Sequence, residues 1–105
     1  MSGELRTVTV QELRAAMDAG DVELIDVREP YEFAGGHLPG ATPMPLMTVP
    51  GHVDELPDDV PVYVVCAVGA RSAQAAAYLA QRGVDAVNVE GGTDAWVDAG
   101  YPVER

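Results

Sequence analysis

The chain has 105 residues, 48% of them hydrophobic, with 17 acidic against 6 basic side chains and a formal net charge of -11. That length suits one self-supporting core, so a single domain over 1–105 is expected. The acidity argues against nucleic acid as a partner and fits a solubilising surface. No apolar run reaches the length of a membrane span, and the opening stretch Met1–Arg6 is polar with no signal-like hydrophobic region. With one cysteine and so no internal disulfide, a cytoplasmic location without membrane contact is the expectation.

Strand-like and helix-like stretches alternate, which predicts an α/β domain with a mainly parallel sheet. Thr7–Val8 reads as a short first strand. Thr9 followed by Glu12 forms a capping-box pattern. Val10, Leu13 and Met17 continue it at helical spacing until Gly20. Val22–Val27 reads as a buried strand and Glu29–Phe33 as a short helix. Gly35-Gly36 opens a turn through His37, Leu38, Pro39 and Gly40, and Ala41–Pro45 is briefly extended. From Met47 to Asp59 the chain holds Pro50, Gly51 and Pro57, so a loop is expected, with one helical turn near Val53–Leu56. Pro61–Val65 is the clearest strand, a continuous apolar run of β-branched and aromatic residues. It runs directly into Cys66. A helix is predicted over Ser72–Arg82, a strand over Ala86–Val89, a turn at Gly91-Gly92 and a closing helix over Thr93–Ala99.

Ligands of open α/β sheets bind outside the carboxyl ends of the strands, and Cys66 stands at such an end. The segment Cys66-Ala67-Val68-Gly69-Ala70-Arg71-Ser72 has physical reasons to hold an anion. Successive backbone N–H groups of Ala67–Arg71 and the start of the next helix point positive charge at one place. Gly69 permits the left-handed backbone that such a nest needs. Ala67 and Ala70 leave the N–H groups accessible. Arg71, one of six arginines in a chain without lysine, brings a guanidinium fork. The same features lower the pKa of a thiol, and the thiolate is the nucleophile. Cys66 is therefore the expected catalytic residue, with Ala67, Val68, Gly69, Ala70, Arg71 and Ser72 around the substrate. Ser72 reads as a helix N-cap or first-turn residue whose hydroxyl helps satisfy the loop N–H groups.

Other residues carry less. Asp26 and Arg28 follow a strand and are read as a supporting ion pair that braces the Cys66 loop. The competing reading has Arg28 attracting an anionic substrate. His37 in G-H-L-P-G is read as a packed, backbone-bonded side chain rather than a base, His52 as a loop residue and Trp96 as a core anchor. One cysteine and two separated histidines do not suggest a metal site.

Three blocks carry a resemblance: L-I-D-V-R-E-P-Y-E-F-A-G-G-H-L-P-G-A at Leu24–Ala41, V-V-C-A-V-G-A-R-S at Val64–Ser72, and V-N-V-E-G-G-T-D-A-W at Val87–Trp96 followed by G-Y-P-V at Gly100–Val103. In this order and spacing, the chain from about Thr9 to Val103 resembles single-domain rhodanese-like proteins, the thiosulfate sulfurtransferase family. The resemblance implies a five-stranded parallel sheet flanked by helices. It also implies that Cys66 accepts a sulfane sulfur from a donor such as thiosulfate, carries it as a persulfide, and passes it to a thiol or cyanide acceptor. No cofactor or metal is implied. The six residues from Cys66 to Arg71 resemble the loop of the sulfurtransferases; the related cell-cycle phosphatases use a loop one residue longer. A Cys-based phosphatase or arsenate reductase is accordingly disfavoured. Ala67, Val68 and Ala70 offer no side-chain hydrogen bonds to a sulfonate. A sulfur-relay or regulatory module, exchanging persulfide with a partner protein, is therefore the alternative expectation.

Overall fold

The computed structural model describes residues 5–105; residues 1–4, part of the polar opening Met1–Arg6, lie outside the described residues. Strands β1 (Arg6–Val8), β2 (Glu23–Asp26), β3 (Thr42–Pro43), β4 (Val62–Val65) and β5 (Ala86–Val89) form one sheet in the order β1-β5-β4-β2-β3. Every pairing is parallel. Parallel neighbours need crossovers, supplied by α1 (Val10–Ala19), α2 (Pro30–Ala34), the Leu46–Glu55 segment and α3 (Ala70–Gln81), while α4 (Gly92–Asp98) follows the last strand. The mainly parallel α/β sheet expected from the sequence is thus wholly parallel.

Period-two alternation divides the core into two layers. Ile25, Val27, Val62, Val64, Cys66 and Ala86 face one side, against Ala75, Ala76 and Leu79 of α3. Leu24, Val65 and Val89 face the other, against Val10 and Leu13 of α1 and Trp96 of α4. Because both faces are covered, β4 and β5 read as nearly unbroken apolar runs. Each fully buried Val or Leu contributes about 1.5–3 kcal/mol to this core.

The capping box at Thr9 forms as expected: the Thr9 hydroxyl accepts from the Glu12 N–H (3.1 Å) and the Glu12 carboxylate accepts from the Thr9 N–H (2.8 Å). Most other boundaries differ from expectation by one or two residues, as fraying ends do. Two differences go further. Leu46–Glu55 is a 3₁₀-helix containing Pro50, where a loop with one turn was expected. Its three-residue turn brings Leu46 and Val49 to one face, and together with Val53 and Leu56 they pack on the core. That burial outweighs the breaker residues. The helix after Cys66 starts at Ala70 rather than Ser72, because Gly69, at φ 109°, already turns the chain as its N-cap. Ser72 therefore lies inside the first turn and is not the N-cap.

Candidate active site

Cys66 is the first residue beyond β4, on the α3 face, and is only 1% exposed. The loop after it is held from below by α4. The Cys66 carbonyl accepts from the Thr93 N–H (2.8 Å) and the Thr93 hydroxyl (3.1 Å), and the Ala67 carbonyl accepts from the Asp94 N–H (3.0 Å). Gly92 makes this contact possible. A Cβ there would stand 2.4 Å from the Cys66 oxygen and 2.7 Å from the Ala67 oxygen. Gly69 is similarly confined, with its Cβ position 3.3 Å from the Gly91 nitrogen.

With the Cys66 and Ala67 carbonyls turned toward α4, the following N–H groups turn toward sulfur. The Gly69 N–H donates to Cys66 Sγ at 3.1 Å, and Ser72 Oγ lies 3.3 Å from Sγ. Burial pushes the Cys66 thiol up. Hydrogen bonds from the Ser72 side chain and from the N–H groups of Ser72, Gly69 and Val68 outweigh it, so the thiol lies below its ordinary value. Of the Ala67–Arg71 N–H groups read as a cradle, the one on Gly69 reaches the sulfur at hydrogen-bond distance. Ser72 differs from its reading: its hydroxyl serves no loop N–H, but approaches Sγ and donates to Asn88 Oδ1 at 2.6 Å.

Arg71 stands at the second position of α3, and its fork is engaged. It donates to both carboxylate oxygens of Glu32 in α2, at 2.7 and 2.9 Å. The Arg71 hydrogen bond, opposed by burial and aided by the Glu29 N–H, brings Glu32 down to about 2. The same bond raises Arg71. The positive charge expected beside the sulfur is therefore matched by an acidic partner, and the lowered Cys66 pKa rests on N–H groups and a hydroxyl. Val68 of the loop is 62% exposed and Tyr31, next to Glu32, is 77% exposed.

Asp26 and Arg28 form a closed internal unit. Arg28 Nε and Nη2 donate to the Asp26 carboxylate at 2.8–3.1 Å, and Nη2 also donates to the Gly36 carbonyl at 2.8 Å. The Arg28 side chain is 7% exposed and that of Asp26 0%. They are an ion pair, as read, but their bonds tie the end of β2 to the Gly36 turn and do not reach the Ala67–Ser72 loop. His37 stacks on Phe33 with ring centroids 3.7 Å apart, and its Nδ1 lies 2.9 Å from the Phe33 carbonyl. His52 pairs with Glu55, and Trp96 is a buried core anchor whose indole N–H donates to Pro102 O. Among the described residues no group of three or more His, Cys, Asp or Glu side chains could hold a metal ion. Nor is any helix there long and apolar enough to cross a membrane.

The turn at Glu90–Gly92 reads from the sequence as lying close to the active-site face, but sequence reasoning missed Glu32, Asn88 and the bonds from Thr93 and Asp94 of α4. Asn88 had a legible signal. It sits opposite Val64 in the β4–β5 register, so alternation places its side chain on the same face as Cys66, where a polar residue in an apolar strand demands a partner.

The all-parallel α/β sheet carries a buried cysteine just beyond its central strand, where ligands of open α/β sheets bind. The rhodanese-like domain pattern matches residues 9–99. A sulfurtransferase of Allochromatium vinosum is 44% identical over 82% of this chain and 81% of its own length. A solved structure from Staphylococcus saprophyticus is 41% identical and superposes at a TM-score of 0.87, over 96% of this chain and 100% of that one. A rhodanese-like domain protein of Staphylococcus aureus is 37% identical at a TM-score of 0.86, with the same coverage. The chain belongs to the rhodanese-like family.

Proposed function

We propose that the protein is a sulfurtransferase in which Cys66 carries the transferred sulfur as a persulfide. The Cys66 thiolate attacks the outer sulfur of a donor such as thiosulfate. The donor S–S bond breaks, sulfite leaves with the electron pair, and the new Sγ–S bond leaves the negative charge on the outer sulfur. An acceptor, cyanide in an assay or a thiol in the cell, then takes that sulfur and restores the thiolate. No proton need move if the thiol is already ionised. The observation that supports this reading most directly is the loop beside a buried Sγ: the Gly69 N–H donates to it at 3.1 Å, and the N–H groups of Val68 and Ser72 help to lower its pKa. The same donors suit the anionic persulfide. Kinship to a sulfurtransferase at 44% identity supports it independently.

The Glu32–Arg71 pair favours a second reading for the physiological donor. With Arg71 paired to Glu32 and the loop residue Val68 exposed, the site offers little to a free dianion. It suits a persulfide of low molecular weight or on a partner protein. Thiocyanate formed from thiosulfate and cyanide, and lost in Cys66→Ser, supports the enzyme reading. No turnover, together with discharge of persulfidated Cys66 to a protein thiol, identifies a relay. A cysteine that no sulfur donor can load refutes both. The short loop without an acid residue disfavours phosphate chemistry, and Cys66-dependent hydrolysis of an aryl phosphate would reverse that judgement. A persistent single free thiol fits a reducing compartment such as the cytoplasm.

A further inference from the structure

Cys66, Ser72 and Asn88 form a buried chain in which hydrogen atoms are scarce. Ser72 is fully buried and Asn88 is 7% exposed. The Ser72 hydroxyl has one proton and two neighbours that can receive it, Asn88 Oδ1 at 2.6 Å and Cys66 Sγ at 3.3 Å. As arranged, the Ser72 hydroxyl donates to Asn88 Oδ1 and the Cys66 thiol donates to Ser72 Oγ. Once Cys66 ionises, the thiol has nothing to donate, and Sγ becomes the stronger acceptor for the Ser72 proton.

We propose that Asn88 is a positioning residue that holds the Ser72 hydroxyl proton whenever Sγ is uncharged and competes with Sγ for it when the thiolate forms. Three features support this. The shorter of the two contacts is the one to Asn88. Ser72 is fully buried and Asn88 nearly so, so the two side chains rely on each other for hydrogen bonding. Finally, β4–β5 register and α3 together fix all three side chains on one face of the sheet, which leaves rotation of one O–H bond as the free variable.

The inference rests on Cys66 as the reacting group and gives the cycle a proton-orientation step. In the resting thiolate, Ser72 donates to Sγ. When the persulfide forms, the charge moves to the outer sulfur and Sγ becomes a neutral bridging atom, so the hydroxyl turns back to Asn88 Oδ1. When an acceptor removes the outer sulfur, Sγ departs as a thiolate and the hydroxyl turns to meet it. No covalent bond to hydrogen breaks in this exchange. Asn88 thereby keeps a buried hydroxyl satisfied in the loaded state and restrains thiolate formation in the empty one.

The charged groups on the surrounding elements are Arg71 of α3, matched by Glu32 of α2, the Asp26–Arg28 pair at the end of β2, and Asp94 of α4. None is altered by changing Asn88, so the titration of Cys66 reads the chain itself. The thiolate's ultraviolet absorbance against pH, with the rate of alkylation by iodoacetamide, provides the readout without any sulfur donor. Failure here is thus distinct from failure of sulfur transfer.

Asn88→Leu removes the competing acceptor. The midpoint of Cys66 ionisation should fall by about 0.5–1 pH unit, and alkylation below the midpoint should quicken by about 3- to 10-fold. Asn88→Asp has nearly the same shape but adds a charge that raises the midpoint by itself, so only the part of its shift that disappears in a Ser72→Ala background reports the competition for the proton. In a Ser72→Ala background, the effect of Asn88→Leu should vanish, since the proton being contested is gone. If Asn88→Leu does not fold, Asn88→Asp measured with and without the Ser72 hydroxyl decides the matter: a shift of the same size in both backgrounds overturns the proposal. It is equally overturned if Asn88→Leu leaves the midpoint unmoved or raises it, or shifts it equally with and without Ser72.

Discussion

Gly92→Ala is the sharpest perturbation of the way α4 supports the active-site loop. Gly92 has φ 58°, and an added methyl would stand 2.4 Å from the Cys66 oxygen and 2.7 Å from the Ala67 oxygen. An L-residue in the left-handed region costs about 1–2 kcal/mol. The methyl cannot coexist with both carbonyls, so the loop must lift from the start of α4. That weakens the bonds from the Thr93 N–H, the Thr93 hydroxyl and the Asp94 N–H, each worth about 0.5–1.5 kcal/mol net. If one or two of the three are lost, the total is about 2–5 kcal/mol, a large share of the 5–15 kcal/mol typical of a domain. Urea denaturation should show this loss as a lower midpoint with little change in slope. Cys66 should also become less acid, because its N–H cradle moves with the loop; alkylation against pH reads that directly. Wild-type stability and wild-type Cys66 reactivity in Gly92→Ala would refute the claim that α4 fixes the cradle.

Other substitutions separate the parts of the site. Cys66→Ser should lose all sulfur loading while its circular dichroism and melting temperature remain close to wild type, since one buried atom is replaced. Asp26→Asn leaves Arg28 buried without its counter-charge, and denaturation should show a loss of about 3–5 kcal/mol. Glu32 lies at about 2 instead of its ordinary 4.5. A depressed carboxylate stabilises the fold above pH 4.5, and that contribution disappears as the pH falls toward about 2. Its side chain and that of Arg71 are 21% and 35% exposed, so screening holds the pair to about 1 kcal/mol. Acid titration of stability should lose this component in Glu32→Gln. The freed Arg71 should also quicken loading by thiosulfate at low salt by roughly 2- to 5-fold, an advantage that added salt removes.

The sequence disclosed most where local chemistry and tertiary demand agree. The run from Val62 to Val65 into Cys66 could only be a covered strand delivering a thiol to the sheet's carboxyl end, and Gly69 could be assigned its left-handed turn from the nest it had to make. Thr9 and Glu12 form a cap whose bonds span three residues, so no distant partner was needed to see it. The 3₁₀-helix at Leu46–Glu55 was hidden because Pro50 and Gly51 signal a break, whereas burial of Val49 decides the outcome. Arg71 was legible as a cation but not as a partnered one. Glu32 lies 39 residues away in sequence, and only the docking of α2 beside the start of α3 brings the two together. The Ser72–Asn88 bond crosses from helix to strand in the same way, and strand parity alone hinted at it.

The central claim is that Cys66, held as an acidified thiol in a backbone cradle, carries sulfur. The most direct test is the intact mass of the protein after incubation with thiosulfate or with a low-molecular-weight persulfide, followed by peptide mapping. A gain of one sulfur atom located on Cys66, removed by cyanide and absent in Cys66→Ser, is the predicted result. A folded protein whose reduced Cys66 gains no sulfur from either donor would contradict it.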